Sequence, residues 1–193
     1  MTEVALTHVI GTLVLLMLMA VISGYAATRS TQANLDISAV SLQEVSERVA
    51  TDIISLVDLS TVSGNTSFTY KVINVPDSIN NLGYNITLSQ SSKSWQVVAY
   101  LLEYNSVRGE AKLFFSSGNT TTTPSKALTC VSTTGSFIIT SGGRNLELFF
   151  GPTLSSGVGK AIGSAYKPVV WCQIYQDGTV QKLMVGFGRL KVT

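Results

Sequence analysis

The sequence predicts an α+β protein: one long N-terminal helix, hydrophobic and then amphipathic, followed by an all-β, sandwich-like head. Three observations predict it. An apolar stretch, "THVIGTLVLLMLMAVISGYAA" (7–27), sits at the N-terminal end. A helical repeat with one apolar stripe follows it without a proline. From Asn65 onward the chain turns into short alternating segments separated by turn signals. The expected boundaries are a helix over 1–60, with an apolar span at 4–28 and an amphipathic half at 29–59, and a head over 61–193.

The apolar span comes first. Between Val4 and Thr28 there is no Asp, Glu, Lys or Arg, and His8 is the single side chain whose ordinary titration falls near neutral pH. A helix needs about 20 mostly apolar residues to cross the hydrocarbon core of a bilayer, and this stretch is long enough. A secretory signal peptide fits less well, because it calls for a basic leading region and an apolar stretch of roughly 7–15 residues. The expectation is therefore a span retained in the mature chain, inserted in a membrane.

After Arg29 the surface becomes polar while the helical period persists. Leu35, Ala39, Leu42, Val45, Val49, Ile53 and Val57 follow one another at steps of three or four, a single stripe on a helix. Gln43, Glu44, Glu47, Arg48 and Thr51 fall off the stripe, and Glu44 and Arg48 form an i, i+4 pair in the favourable order. The first proline is Pro76, and Gly11 and Gly24 are the only weak points between Val4 and Leu59. A helix of about 55 residues would be roughly 80 Å long at 1.5 Å per residue. Its later half has to lay the stripe on something. Its earlier half, apolar all round, has to be surrounded by lipid or by other copies of itself.

The head is rich in Ser, Thr, Asn and Gln, and only 12% of the chain is charged. Such a surface suits an extracellular protein. With 13 basic against 11 acidic residues, the net charge of +2 gives no electrostatic footprint for nucleic acid. Strands are expected at 67–75, 84–90, 94–104, 110–116, 127–134, 136–140 and 145–151, and in the C-terminal run 167–192. "QDGT" (176–179) and "TSGGRN" (140–145) read as hairpin turns within this set. Many short strands with regular turns indicate a sandwich or barrel.

Cys130 and Cys172 are the two cysteines. Outside the cell the expectation is a disulfide between them, worth roughly 4 kcal/mol for a loop of about 40 residues. The alternative is a pair of buried thiols behaving as small hydrophobes. Asn65, Asn85 and Asn119 head N-x-S/T sequons and are expected to carry sugars, Asn119 foremost because it opens the "NTTTT" loop.

Catalytic, cofactor and metal chemistry find no support in the sequence. The one histidine, His8, lies in the apolar span, so no Ser-His-Asp triad has a base in the head. Two cysteines and a distant histidine do not make a zinc site. "GVGKAIG" (157–163) lacks the phosphate-loop spacing. Glu103, Glu110, Glu147 and Asp177 are scattered over separate strands and turns. The expectation is a protein that is not an enzyme and holds no cofactor.

A charge-free apolar span, "IGTLVLLMLMAVISGYAA" (10–27), running into an amphipathic half and then a small β head, resembles the archaeal type IV pilin superfamily, adhesive pilins and archaellins included. The resemblance covers about the first 58 residues, and the unbroken span looks more archaeal than bacterial. It implies a structural subunit of an extracellular pilus used in surface adhesion, a homopolymer whose apolar helices leave the membrane and bundle as a filament core. It also implies assembly machinery as a partner. Leu13, Leu15, Leu16, Met17, Leu18 and Val21 would then form the assembly interface. Family precursors carry a short basic leader cut just before the span. Bacterial relatives also keep a glutamate near the mature N-terminus, and Glu3 sits close to that place with an offset. The alternatives are an archaellin, or a single-pass membrane protein presenting a β-domain, such as a minor pilin or motor-stator component. A stripe that packs only on its own head would favour the last.

Overall fold

The structure, a computed structural model, describes residues 2–62, 68–91, 94–113, 127–130, 134–141, 144–155, 166–177 and 180–192. It is α+β, a long N-terminal helix followed by two antiparallel-dominated sheets. Helix α1 spans Thr2–Val62. No proline interrupts it, and it continues through both Gly11 and Gly24.

Two compact units divide the chain inside α1, Met1–Ser38 and Ala39–Thr193. The sequence places the boundary at residue 60 instead. The difference has a physical cause: the later turns of α1 are core of the head. Leu42, Val45, Val49, Ile53 and Val57 are all buried, as the stripe requires, and Ala50 and Leu56 widen it. Burying a Val, Leu or Ile side chain contributes about 1.5–3 kcal/mol, so this half of the helix is held by its packing. Ser46 and Ser60 lie on the same face, and each hydroxyl is satisfied, Ser46 donating to the Gly109 carbonyl at 3.0 Å and Ser60 to the Val57 carbonyl at 2.8 Å.

The strands that follow are β1 (Phe68–Val72), β2 (Tyr84–Ser91), β3 (Ser94–Leu101), β4 (Arg108–Lys112) and β5 (Ala127–Cys130). After them come β6 (Gly135–Ser141), β7 (Arg144–Gly151), β8 (Thr153–Ser155), β9 (Tyr166–Asp177) and β10 (Val180–Val192). A smaller sheet has the order β4-β3-β2-β8, and a larger one the order β1-β9-β10-β7-β6. Strand β5 joins the larger sheet parallel to β10, beside Lys182–Val185, just before β7 takes over that side at Phe187. The two expected hairpins are present as strand pairs: Asp177 faces Val180, and Ser141 faces Arg144. The turn residues 142–143 and 178–179 lie outside the described residues.

Alternation decides which face of the small sheet is core. Tyr84, Ile86 and Leu88 of β2 and Val97, Ala99 and Leu101 of β3 are buried, whereas Asn85, Thr87 and Ser89 are half-buried on the other face. Strand β4 meets the helix backbone directly. A Cβ at Gly109 would stand 2.3 Å from the Gln43 nitrogen, so only glycine allows this approach. Gln43 then closes the edge of β4: its Nε2 donates to the Glu110 carbonyl at 3.0 Å, and its Oε1 accepts from the Glu110 N–H at 3.0 Å. One side chain thus takes both polar groups that an edge strand leaves open.

The large sheet is buried on both faces at its centre, which is why "PVVWCQI" in β9 reads as a continuous apolar run. One face carries Val170, Cys172, Val185 and Phe187 and meets the helix, with Cys172 beside Ser60 at 3.4 Å and Lys71 of β1 paired to Asp52 at 2.6 Å. The opposite face holds a second cluster around Trp171, which is 2% exposed, with Leu148, Val169 and Leu190. Phe68 stacks on Trp171 at 5.9 Å between ring centroids, and Phe150 meets it edge-on at 5.7 Å. The indole Nε1 donates to the Phe187 carbonyl at 3.2 Å, and the ring lies over Gly186, where a Cβ would come within 2.8 Å of it.

Candidate assembly and membrane surface

The first unit offers one chemistry, an apolar helix surface. Leu13, Leu15, Leu16, Met17, Leu18 and Val21 all lie on α1 and are all exposed, Leu16 at 65%. So are Val9, Ile10, Val14, Met19, Ile22 and Tyr25. Because these positions run consecutively, they occupy every side of the helix rather than one stripe. The most apolar 18-residue window has a mean hydropathy of 2.3, and none of it is buried within the chain. By length and composition this helix can cross a membrane.

Threonine hydroxyls in and just beyond the span bond to the helix's own carbonyls. The Thr12 hydroxyl lies 2.8 Å from the His8 carbonyl and 3.0 Å from that of Val9. Thr28 donates to the Gly24 carbonyl at 2.9 Å and Thr31 to that of Ala27 at 3.1 Å. These i−4 bonds let a hydroxyl enter a water-free medium without an orphaned donor. At the C-terminal limit of the span, Arg29 folds back on Tyr25: its Nε donates to the Tyr25 hydroxyl at 2.9 Å, and its guanidinium carbon lies 5.4 Å from the ring centre. Tyrosine and arginine one turn apart, with apolar residues before them and polar ones after, are the pattern of a helix leaving an apolar layer. Sequence reasoning passed over this pair, although its i, i+4 spacing is plain in "YAATR".

The head supplies different surroundings. Cys172 is a free, buried thiol. This corrects the expected disulfide with Cys130. In the sheet both cysteines are register partners of Val185, Cys130 on β5 and Cys172 on β9, with β10 running between them. Two strand spacings of about 4.8 Å hold their backbones roughly 9–10 Å apart, beyond the Cα separation of about 4.4–6.8 Å that a disulfide spans. Burial pushes the Cys172 thiol up from its ordinary value, and the hydrogen bond with Ser60 only partly opposes it. Such a thiol is a poor nucleophile.

Of the three sequons, Asn65 and Asn119 lie outside the described residues. Asn85 sits in β2 between β3 and β8, half-buried, with its Nδ2 on the Tyr100 hydroxyl at 3.4 Å and its Oδ1 enclosed without a partner. Tyr84 next to it is buried and donates its hydroxyl to the Pro76 carbonyl, and burial pushes its phenol well above the ordinary value, with Asp77 adding to the effect. Glu110 is paired with Arg108 at 2.9 Å, and among the described residues no three His, Cys, Asp or Glu side chains group as metal ligands. "GVGKAIG" lies outside the described residues. No protein-family model, no curated protein and no solved structure matches the chain.

Proposed function

We propose that the chain is the structural subunit of an extracellular archaeal type IV pilus, inserted in the membrane before assembly and polymerised afterwards through its N-terminal helices, with adhesion as the role. The observation that carries this reading is the helix. Over Val9–Tyr25 it is apolar and exposed on all sides, and the same unbroken α1 supplies the core turns of a polar, two-sheet head. A surface of that kind has to be taken out of water. Lipid does this before assembly, and neighbouring copies of the helix do it in a filament.

A second reading is favoured by a specific observation. The stripe from Leu42 to Val57 is buried against the chain's own head, so this half of α1 needs no neighbour to cover it. A single-pass membrane protein presenting the β-domain would be built the same way. Shearing cells separates the two. The pilus reading expects the chain in the sheared extracellular fraction as filaments, with electron cryo-microscopy showing Val9–Tyr25 helices bundled at the axis and β heads outside. A chain found only in the membrane fraction, as single copies, would support the anchored β-domain and end the pilus reading.

A further inference from the structure

At the corner where the two sheets meet, the head has a small pocket. Strand β7 leaves the large sheet at Gly151, the chain turns at Pro152, and β8 joins the small sheet opposite β2. The pocket left at this corner has a volume of about 250 Å³. Phe187 and Leu154, both buried, line its apolar part. Thr134, Thr153, Phe149 and Arg189 line the rest.

Arg189 is the unusual member. It is half-buried and lies directly across from Phe149 in the β10–β7 ladder, so the two side chains share a face. Burial lowers its guanidinium from the ordinary value, with no opposing carboxylate among the described residues. The ion pairs among the described residues are Arg48–Glu44, Lys71–Asp52 and Arg108–Glu110, and none involves Arg189. Glu147, on the same face of β7, stands opposite Lys191 rather than Arg189. A charge partly withdrawn from water, with no ion-pair partner among the described residues, favours an anionic ligand. The planar guanidinium fork matches a carboxylate in two parallel hydrogen bonds. Phe149 beside it provides an apolar wall for C–H groups, and Thr134 and Thr153 are the hydroxyl-bearing residues of the lining. The volume is below that of a pocket for a drug-sized molecule and is on the scale of a single sugar ring.

We infer that this corner pocket binds an acidic monosaccharide unit, with Arg189 holding its carboxylate, Phe149 packing on its ring and Thr134 and Thr153 meeting its hydroxyls. The inference concerns the head alone and does not depend on whether the chain forms filaments or stays anchored.

The test is titration of the purified full-length chain in detergent micelles with glucuronate, glucose and acetate, followed by NMR shifts or calorimetry. Glucuronate is expected to saturate in the millimolar range, with glucose and acetate each at least tenfold weaker. Arg189→Gln should weaken glucuronate tenfold or more while leaving the melting temperature near that of the parent chain. Arg189→Lys, which keeps charge but loses the fork, should fall between. Absence of saturable glucuronate binding, equal responses to glucose and glucuronate, or full binding by a folded Arg189→Gln chain would each overturn the assignment.

Discussion

At the scale of single residues, the contact between Gly109 and Gln43 holds an edge strand to the helix with no side-chain volume to spare. Adding a methyl group at Gly109 drives it into the backbone of α1 at 2.3 Å, and backbone yields less readily than a side chain. Gly109→Ala should therefore cost about 2–4 kcal/mol. Gln43→Ala should cost about 1–2 kcal/mol, because both polar groups of Glu110 lose their partner. Since the two changes share one contact, the double variant should lose less than the sum. Denaturant melts of the four chains check this. Cys172 and Tyr84 set an alkaline limit. Both have folded values raised by burial, so each favours the protonated side chain when folded. Their contribution is fully present below the ordinary values, about 9 for the thiol and 10 for the phenol, and is lost as pH rises toward the raised folded ones. The unfolded chain binds fewer protons there, and stability falls. The denaturation midpoint should drop between pH 8 and pH 10.5, and Tyr84→Phe should flatten part of the slope. A reducing agent should leave the midpoint at pH 7 unchanged, as Cys172 is a free thiol.

Among the elements, α1 is one helix with two kinds of surface. Val49 is fully buried and Val40 is 71% exposed. Val49→Asp places a charge in the head core and should lower stability by at least about 3–5 kcal/mol. Val40→Asp should change it by no more than about 0.5 kcal/mol in the isolated chain. Circular dichroism melts distinguish the two outcomes. The helix was legible in the sequence because its signals are local: absence of proline, an apolar span, and a stripe at steps of three and four. Most strands were legible for the same reason, since alternation and "DG" or "GG" turns lie within a few residues of one another. The three-residue β8 was not, because Thr153–Ser155 is too short to show alternation and exists only through its pairing with β2. Nor could spacing reveal the fate of the cysteines. Their separation rests on β10, more than 50 residues from Cys130 in sequence order, entering the sheet between β5 and β9. The pocket at Arg189 was equally hidden, since it draws on four segments that meet only at the sheet corner.

For the whole molecule, the apolar residues of the span were legible one by one, but what covers them is not written in a single chain. The structure leaves Leu16 exposed, and the proposed filament buries it among copies of the same helix. Leu16→Lys separates the two possible coverings. In a lipid-embedded anchor, a lysine near the middle of a helix costs about 2.5–3.5 kcal/mol on insertion scales, partly relieved by snorkelling. In a dry bundle of helices the charge has no route to water, the cost is larger, and every subunit repeats it. Glu103→Lys changes an exposed residue of the head and serves as the control for a charge change away from the helix. The decisive measurement is filament yield by negative-stain microscopy for the parent chain and both variants, with membrane levels followed by blot. The account predicts abundant filaments from the parent and from Glu103→Lys, and none from Leu16→Lys although the chain still reaches the membrane. Filaments of normal yield from Leu16→Lys, or none containing the parent chain, would contradict it.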